Sequence, residues 1–401
     1  MRVPHLRTRG VVAIVATVAT TAGLQFVAQP QTVAQVSVPT RAVEIESALD
    51  GVHAQTVVLP FPALNVAVHW AGEPGARVTL STTSDGTSFS SSADAGRDEV
   101  GEQRGNGETY GALLPAAGAT AVRVMSDRPM RRLRLVALAD GERVVRRVPM
   151  RADRAEASVA QPAVIARSAW GADESLRFDA SGSEVWPPTF WPVQKLIVHH
   201  TATQNNDPDP AATIRSIYYY HAVTQAWGDI GYNFLVDEAG RVYEGRHSRT
   251  YPPGQSPTGA DTSGNGVTGA HSLGFNSGTV GVGLLGTLSN QDATGAARDG
   301  LASLLAWEAD GHRIDPQGSS LYTNPVNGAQ KTFPNIAGHS DVNATECPGG
   351  VFYASLPALR SDLAARIAAG GRPTTTTTSP TTTTTITTPT TSTTSTTTPT
   401  T

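Results

Sequence analysis

The chain has 401 residues, of which 39% are apolar, enough for more than one packed core, and its formal net charge of −4 excludes the global basic field that gathers nucleic acid. Lysine occurs only at Lys195 and Lys331, so arginine supplies nearly all the cations. A single cysteine, Cys347, excludes an internal disulfide.

Taken in chain order, Arg2, Arg7 and Arg9 precede an uncharged apolar run from Gly10 to Ala28 that ends in small residues. This pattern predicts a secretory signal over residues 1–34, cleaved near Ala28 or Ala34; the alternative is an uncleaved anchor, because the run approaches spanning length. No later stretch is expected to span a membrane. Cysteines of exported chains usually pair, so the lone thiol reads as a reactive group, an intermolecular link or a metal ligand.

Residues 41–150 read as an all-β, sandwich-like domain. The runs "ALNVAVHW", "RVTLSTT", "AVRVMS" and "RLRLVALA" are short, rich in valine and leucine, and separated by turn stretches such as "AGEPGA" and "TSDGTS". His53 and His69 stand isolated there and suggest no catalytic set. An arginine-rich linker follows over residues 151–163. Residues 164–370 alternate strand-like and helix-like patterns and predict an α/β domain, a mixed central sheet flanked by helices. "KLIVHH" is a buried strand. "DPDPAATIRSIYYYHAVTQAW" is a helix with Asp207 or Asp209 as cap and Pro210 in its first turn. "YNFLVDEAGRVYEG" is a strand, a Gly turn and a second strand, and "GTVGVGLLG" another strand. "DATGAARDGLASLLAWEADGH" and "LPALRSDLAARIAA" are amphipathic helices. Residues 371–401 are rich in Thr, Pro and Ser with almost nothing apolar, a composition expected to stay disordered.

The chemistry centres on Cys347. Zinc takes imidazole and thiolate ligands, and a catalytic site uses three of them. His339 ends the short run "NIAGH", Cys347 sits on a turn set by Pro348 and Gly349, and His199 ends the apolar strand "KLIVHH". These three make a plausible open zinc site. From the residues alone the alternative stays open, since a lone cysteine is often a buried small hydrophobe and a double histidine a structural pair.

Longer motifs carry more. "RSAWGA", "LIVHHTAT", "YYHAVTQAWGDIGYNFLVDEAGRVYEGR", "GAHSLGFNSGTVGVGLLG" and "AGHSDVNATECPG" run in order through nearly the whole second domain. In them the domain resembles the peptidoglycan recognition protein and N-acetylmuramoyl-L-alanine amidase (type 2 amidase) family. The resemblance implies a Zn2+ cofactor held by His199, His339 and Cys347, with Tyr232 and Thr345 as catalytic hydroxyls. It implies substrate contacts from His221, Trp227, Arg246, His271 and Asn276, with His200 behind the metal. With the signal pattern and the arginine bias, the reading is a secreted or cell-wall-associated bacterial enzyme, acting as a monomer on peptidoglycan. The bond cut would be the lactyl amide between N-acetylmuramic acid and L-alanine. Ser340 departs from the arginine that many members carry at that position. Three other readings stand beside this one: a peptidoglycan-binding protein without hydrolysis, a cell-wall peptidase with Cys347 as nucleophile, and a surface protein whose β region and Thr tail do the main work.

Overall fold

The computed structural model describes residues 32–49, 54–72, 76–96, 107–142, 144–149, 159–252 and 255–370. The expected signal segment up to residue 31, the expected linker up to residue 158 and the Thr-rich tail all lie outside the described residues.

The N-terminal region is built of strands β1 (Thr32–Ser37), β2 (Thr40–Leu49), β3 (Ala54–Gly72), β4 (Val78–Thr83), β5 (Ala93–Asp94), β6 (Thr109–Tyr110), β7 (Leu114–Ser126), β8 (Met130–Asp140) and β9 (Val144–Pro149). β1 and β9 pair with each other, and the rest form one antiparallel sheet in the order β2-β8-β3-β7-β4-β5, with β6 on β3. A sandwich predicts two separate sheets; here one 19-residue strand serves both halves. The first half of β3 pairs with β7 and its second half with β8, and register shifts between Val58 and Asn65 mark the change. Val57, Leu59, Val122 and Val124 from one half share an apolar cluster with Val68, Trp70, Leu133 and Leu135 from the other.

In the C-terminal region the strands are β10 (Val164–Ile165), β11 (Phe190–Trp191), β12 (Lys195–His200), β13 (Phe234–Val236), β14 (Val242–Glu244), β15 (Gly266–Val267), β16 (Thr279–Leu284), β17 (Ser319–Thr323), β18 (Gln330–Pro334) and β19 (Ile336–Gly338). The helices are α1 (Arg167–Trp170), α2 (Pro210–Tyr219), α3 (Gly295–Gly311), α4 (Gly350–Tyr353) and α5 (Leu356–Ala368). The central sheet is mixed, in the order β10-β14-β13-β16-β12-β19, antiparallel only between β14 and β13.

Strand alternation assigns the two faces. Leu196, Val198, Val280, Val282, Phe234 and Val236 pack against Leu301, Leu304, Leu305 and Leu363 of α3 and α5. The other face carries Leu235, Tyr243 and Tyr232, covered by Ile214, Ile217 and Tyr218 of α2. Asp209, not Asp207, caps α2, accepting from the Ala212 amide at 3.1 Å, and Pro210 occupies the first turn. The helix was expected to run to Trp227. It ends at Tyr219, and Tyr220–Thr224 form a wider π turn closed by the Gln225 amide on the Tyr220 carbonyl.

Candidate metal centre

The double histidine at the end of β12 splits by the same alternation. His200 turns to the α3 side, where its Nδ1 accepts from the Leu288 amide at 3.0 Å. His199 turns to the opposite face and is fully buried. β16 makes room for it. A Cβ at Gly281 would lie 2.3 Å from the His271 ring, and one at Gly283 would press on Tyr232 and Thr201 at 3.3 Å. The spaced glycines of "TVGVGL" therefore hollow out one face of the sheet at the place where the histidines gather.

His339 opens a short 3-10 turn directly after β19. Its loop closes on itself: the Ser340 amide donates to the Cys347 carbonyl at 2.9 Å, and the Thr345 hydroxyl oxygen accepts from the Cys347 amide at 2.9 Å. Asp341 takes the Gly338 amide, the Tyr353 hydroxyl and, at 3.8 Å, the Arg360 guanidinium. Arg360 thus supplies a salt bridge to this loop from α5, while Ser340 is exposed.

The potential ligand atoms of His199, His339 and Cys347 all lie within 4.8 Å of one another, in a buried set. The sulfur is 3.7 Å from His199 Nδ1. The remaining contacts of the imidazoles fix which nitrogens stay available. His339 Nε2 donates to Asn343 Oδ1 at 3.1 Å, and its buried Nδ1 has no partner. His199 Nε2 lies 3.1 Å from His271 Nδ1; His271 Nε2 faces Thr279 Oγ1 at 3.3 Å, and that hydroxyl donates to the Phe275 carbonyl at 2.6 Å. One proton order satisfies this row. Each N–H points outward along it, leaving the Nδ1 lone pair of His199 aimed at the sulfur. Burial, reinforced by His339 and His271, holds the His199 imidazole well below its ordinary pKa. Burial also brings His339 down to about 4 and His271 to about 3. All three are neutral at pH 7, the state a metal requires.

Tyr232 is buried with its ring centroid 5.6 Å from that of His199. Beyond it the rings continue: His221 at 5.9 Å from Tyr232, then Trp227 at 4.7 Å from His221. Trp227 lines a cleft of about 490 Å³ together with Trp186, Thr268, Asn276, Asn324 and Asn327. None of the three candidate ligands lines this cleft.

The five residues expected at the substrate therefore divide. Trp227 and Asn276 line the cleft, although Asn276 Oδ1 is already the acceptor for the His271 and Ser272 amides. The other three stand behind the surface. His271 is fully buried against His199. His221 is buried, with Nδ1 accepting from the Gly231 amide at 3.1 Å. Arg246 is fully buried, pairs with Asp229 at 2.7 Å and lies 3.7 Å from the Trp186 ring centroid.

Sequence reasoning missed the node at Asp229. Its carboxylate bridges Arg167 at 2.9 Å and Arg246 at 2.7 Å and accepts from the His247 amide. Burial pushes this carboxyl up, but the two guanidiniums more than offset it and hold it below the usual range. The arginine of "RSAW", the aspartate of "DIGYNF" and the arginine of "YEGR" are thus one buried ion group. Their signal was the co-occurrence of two acids, Asp229 and Glu244, with two arginines in these short motifs. Asn343, which orients His339, lay unremarked in the "SDVNATE" loop.

A sequence model of the N-acetylmuramoyl-L-alanine amidase family, Amidase_2, matches residues 190–350. Peptidoglycan-recognition protein SC2 of Drosophila melanogaster is 31% identical over 155 residues, covering 38% of this chain and 66% of that protein. The N-acetylmuramoyl-L-alanine amidase of Homo sapiens is 31% identical over 174 residues, 40% of this chain and 23% of that protein. Peptidoglycan-recognition protein LE of Drosophila melanogaster is 27% identical over 193 residues, 48% of this chain and 44% of its own length. The chain thus spans less than half the length of the last two relatives. Among solved structures, wild-type Drosophila PGRP-LB aligns with 48% of this chain and 91% of its own at 26% identity, with a TM-score of 0.35.

Proposed function

The chain belongs, through residues 190–350, to the N-acetylmuramoyl-L-alanine amidase and peptidoglycan-recognition family, and from that premise we propose that it is a zinc-dependent amidase. In this reading it cuts the lactyl amide between N-acetylmuramic acid and L-alanine of peptidoglycan. The observation that carries the reading is the buried set of His199, His339 and Cys347, whose ligand atoms lie within 4.8 Å of one another while His339 Nδ1 has no hydrogen-bond partner. An orphaned buried acceptor is costly, and two imidazole nitrogens with one thiolate form a donor set suited to Zn2+.

His199, His339 and Cys347 would hold the ion, and His271 and Asn343 fix the two imidazole tautomers. Bound there, Zn2+ supplies Lewis acidity to the amide carbonyl and to the attacking water. The chain's own part is to place donors and exclude solvent. Tyr232, packed against His199, offers a hydroxyl to the oxygen on which charge develops. Thr345, held two residues from the sulfur by its bond to the Cys347 amide, contributes a second hydroxyl. Trp227 and Asn276 contact substrate in the cleft, while His221, His271 and Arg246 support its walls from behind. The two indoles of the cleft are set before any ligand arrives, Trp186 by Arg246 and Trp227 by His221, which lowers the cost of binding. No helix among the described residues is long and apolar enough to cross a membrane. Export at the N-terminus and action at the cell wall complete the proposal.

Metal analysis of the purified chain, paired with mass spectrometry of digested peptidoglycan, tests it. One equivalent of zinc and release of free stem peptide are expected; intact muropeptides beside bound zinc would leave a binding protein. The 3.7 Å contact between Cys347 Sγ and His199 Nδ1 also favours a second reading, a thiol peptidase. A chelator stops the amidase, whereas only an alkylator stops a thiol enzyme that needs no metal.

A further inference from the structure

Helix α2 has no solvent face. Seven consecutive residues, Ala212 to Tyr218, are all buried, Arg215 among them. A helix covered all round needs a partner on each side. One partner is the central sheet, through Leu235 and Tyr243; the other is the N-terminal β unit, through Ala67, Leu113, Val136 and Leu138. β8 is built for both tasks. Leu133, Leu135 and Ala137 fill the β unit's own core, and the intervening Val136 and Leu138 point to α2. Polar contacts pin the helix at two levels. The Arg215 guanidinium forks onto both oxygens of Asp140, and the Tyr220 hydroxyl donates to the Gly111 carbonyl. Tyr220 begins the π turn, and the next residue, His221, receives the Gly231 amide and packs its ring on Tyr232. Ile230 and Tyr232 belong to the same apolar cluster as Val136 and Leu138.

We propose that the β unit is a fixed wall of the amidase, holding the Tyr220–Thr224 turn and thereby setting Tyr232 against His199. Tyr220 is a positioning residue in this arrangement, and the β unit acts on turnover without touching substrate. The inference rests on the amidase reading for its kinetic test, but its structural test stands alone.

The test uses the full-length zinc-loaded chain and two variants. Tyr220→Phe removes only the hydroxyl that Gly111 accepts; Leu138→Asp places a charge in the docking surface. Tyr220→Phe is expected to lower kcat on a muramyl peptide by about threefold to tenfold, the rate equivalent of one net hydrogen bond. KM and zinc content should not change. The Gly231 amide, bonded to His221, should exchange with deuterium faster in both variants, whereas the surface control Val58→Thr should leave kcat and exchange as they were. Unaltered kcat and unaltered Gly231 exchange in Tyr220→Phe would overturn the proposal, as would a loss of kcat matched by loss of zinc. If Leu138→Asp does not fold, Tyr220→Phe decides alone. If the unmodified chain releases no stem peptide, the amidase reading fails, and Gly231 exchange still decides whether the wall controls the turn.

Discussion

Each half of the molecule buries a histidine among polar groups, and the two surroundings are opposites. In the β unit, His69 lies between two carboxylates, with Nδ1 3.0 Å from Glu108 and Nε2 3.5 Å from Glu44, and Tyr110 stacked on its ring at 5.1 Å. Arg132 closes the cluster on Glu108 at 2.6 Å. Both ring nitrogens face carboxylates, although Nε2, at 3.5 Å from Glu44, forms no hydrogen bond. Around His199 and His339 no ion pair with a carboxylate occurs among the described residues. Their Nε2 atoms meet a third histidine and an asparagine, His199 Nδ1 lies 3.7 Å from the thiol, and His339 Nδ1 has no partner. Each arrangement leaves one buried ring nitrogen without a hydrogen bond, Nε2 of His69 and Nδ1 of His339. What separates them is the company: carboxylates around His69, and around His339 a second imidazole and a thiol with ligand atoms within 4.8 Å of one another, the donor set that suits a metal.

The widest separation between the two clusters should come from deleting one member of each. Cys347→Ala is expected to abolish both zinc binding and stem-peptide release. Glu108→Gln should keep full zinc stoichiometry and lose about 1–3 kcal/mol in urea unfolding through broken charged hydrogen bonds. Loss of zinc in Glu108→Gln, or retention in Cys347→Ala, would break the contrast. Tyr232→Phe should keep its zinc and turn over about tenfold to a thousandfold more slowly if it supplies one oxyanion donor; normal turnover would remove it from the chemistry. Asn343→Ala, which frees His339 to rotate, should weaken zinc affinity by about tenfold to a hundredfold, read by competition with a chromophoric chelator.

The smallest effect is set by pH. Burial lowers His221 to about 3 and His247 to about 4, from an ordinary value of 6.5. The unfolded chain binds these protons first. Their neutral forms therefore contribute stability above pH 6.5 that declines as pH falls toward 4. Tm of the zinc-loaded chain should drop across that window, with hydrogen-exchange protection lost in residues 195–284 before residues 54–83. A flat Tm between pH 6.5 and 4 would contradict it.

Much of this architecture was legible in the chain. Strand and helix periods marked β12, β13, β14, β16, α3 and α5, and motif order brought His199, His339 and Cys347 forward together. Less visible was which face each side chain would take. His271 and Asn276 sit in one glycine-rich loop, yet one backs the candidate ligand His199 and the other lines the cleft. Arg246 read as a contact residue through the family resemblance, whereas its side chain is buried on a carboxylate 17 residues away, in a different motif. The end of α2 was misplaced because the helical spacing of apolar residues continues through Tyr220–Thr224, where the backbone widens.

The chain by itself determined the order of the elements, because strand and helix periods are local, and its motifs put forward His199, His339 and Cys347 as candidate ligands through their resemblance to a known family. The tertiary structure alone decided that the β unit packs on α2, that Asp229 joins two distant arginines, and that one nitrogen of His339 is left over. Those facts depend on which groups find partners in other elements, from 17 to 109 residues away, and hydrogen-bond and charge satisfaction is settled only when every neighbour is in place.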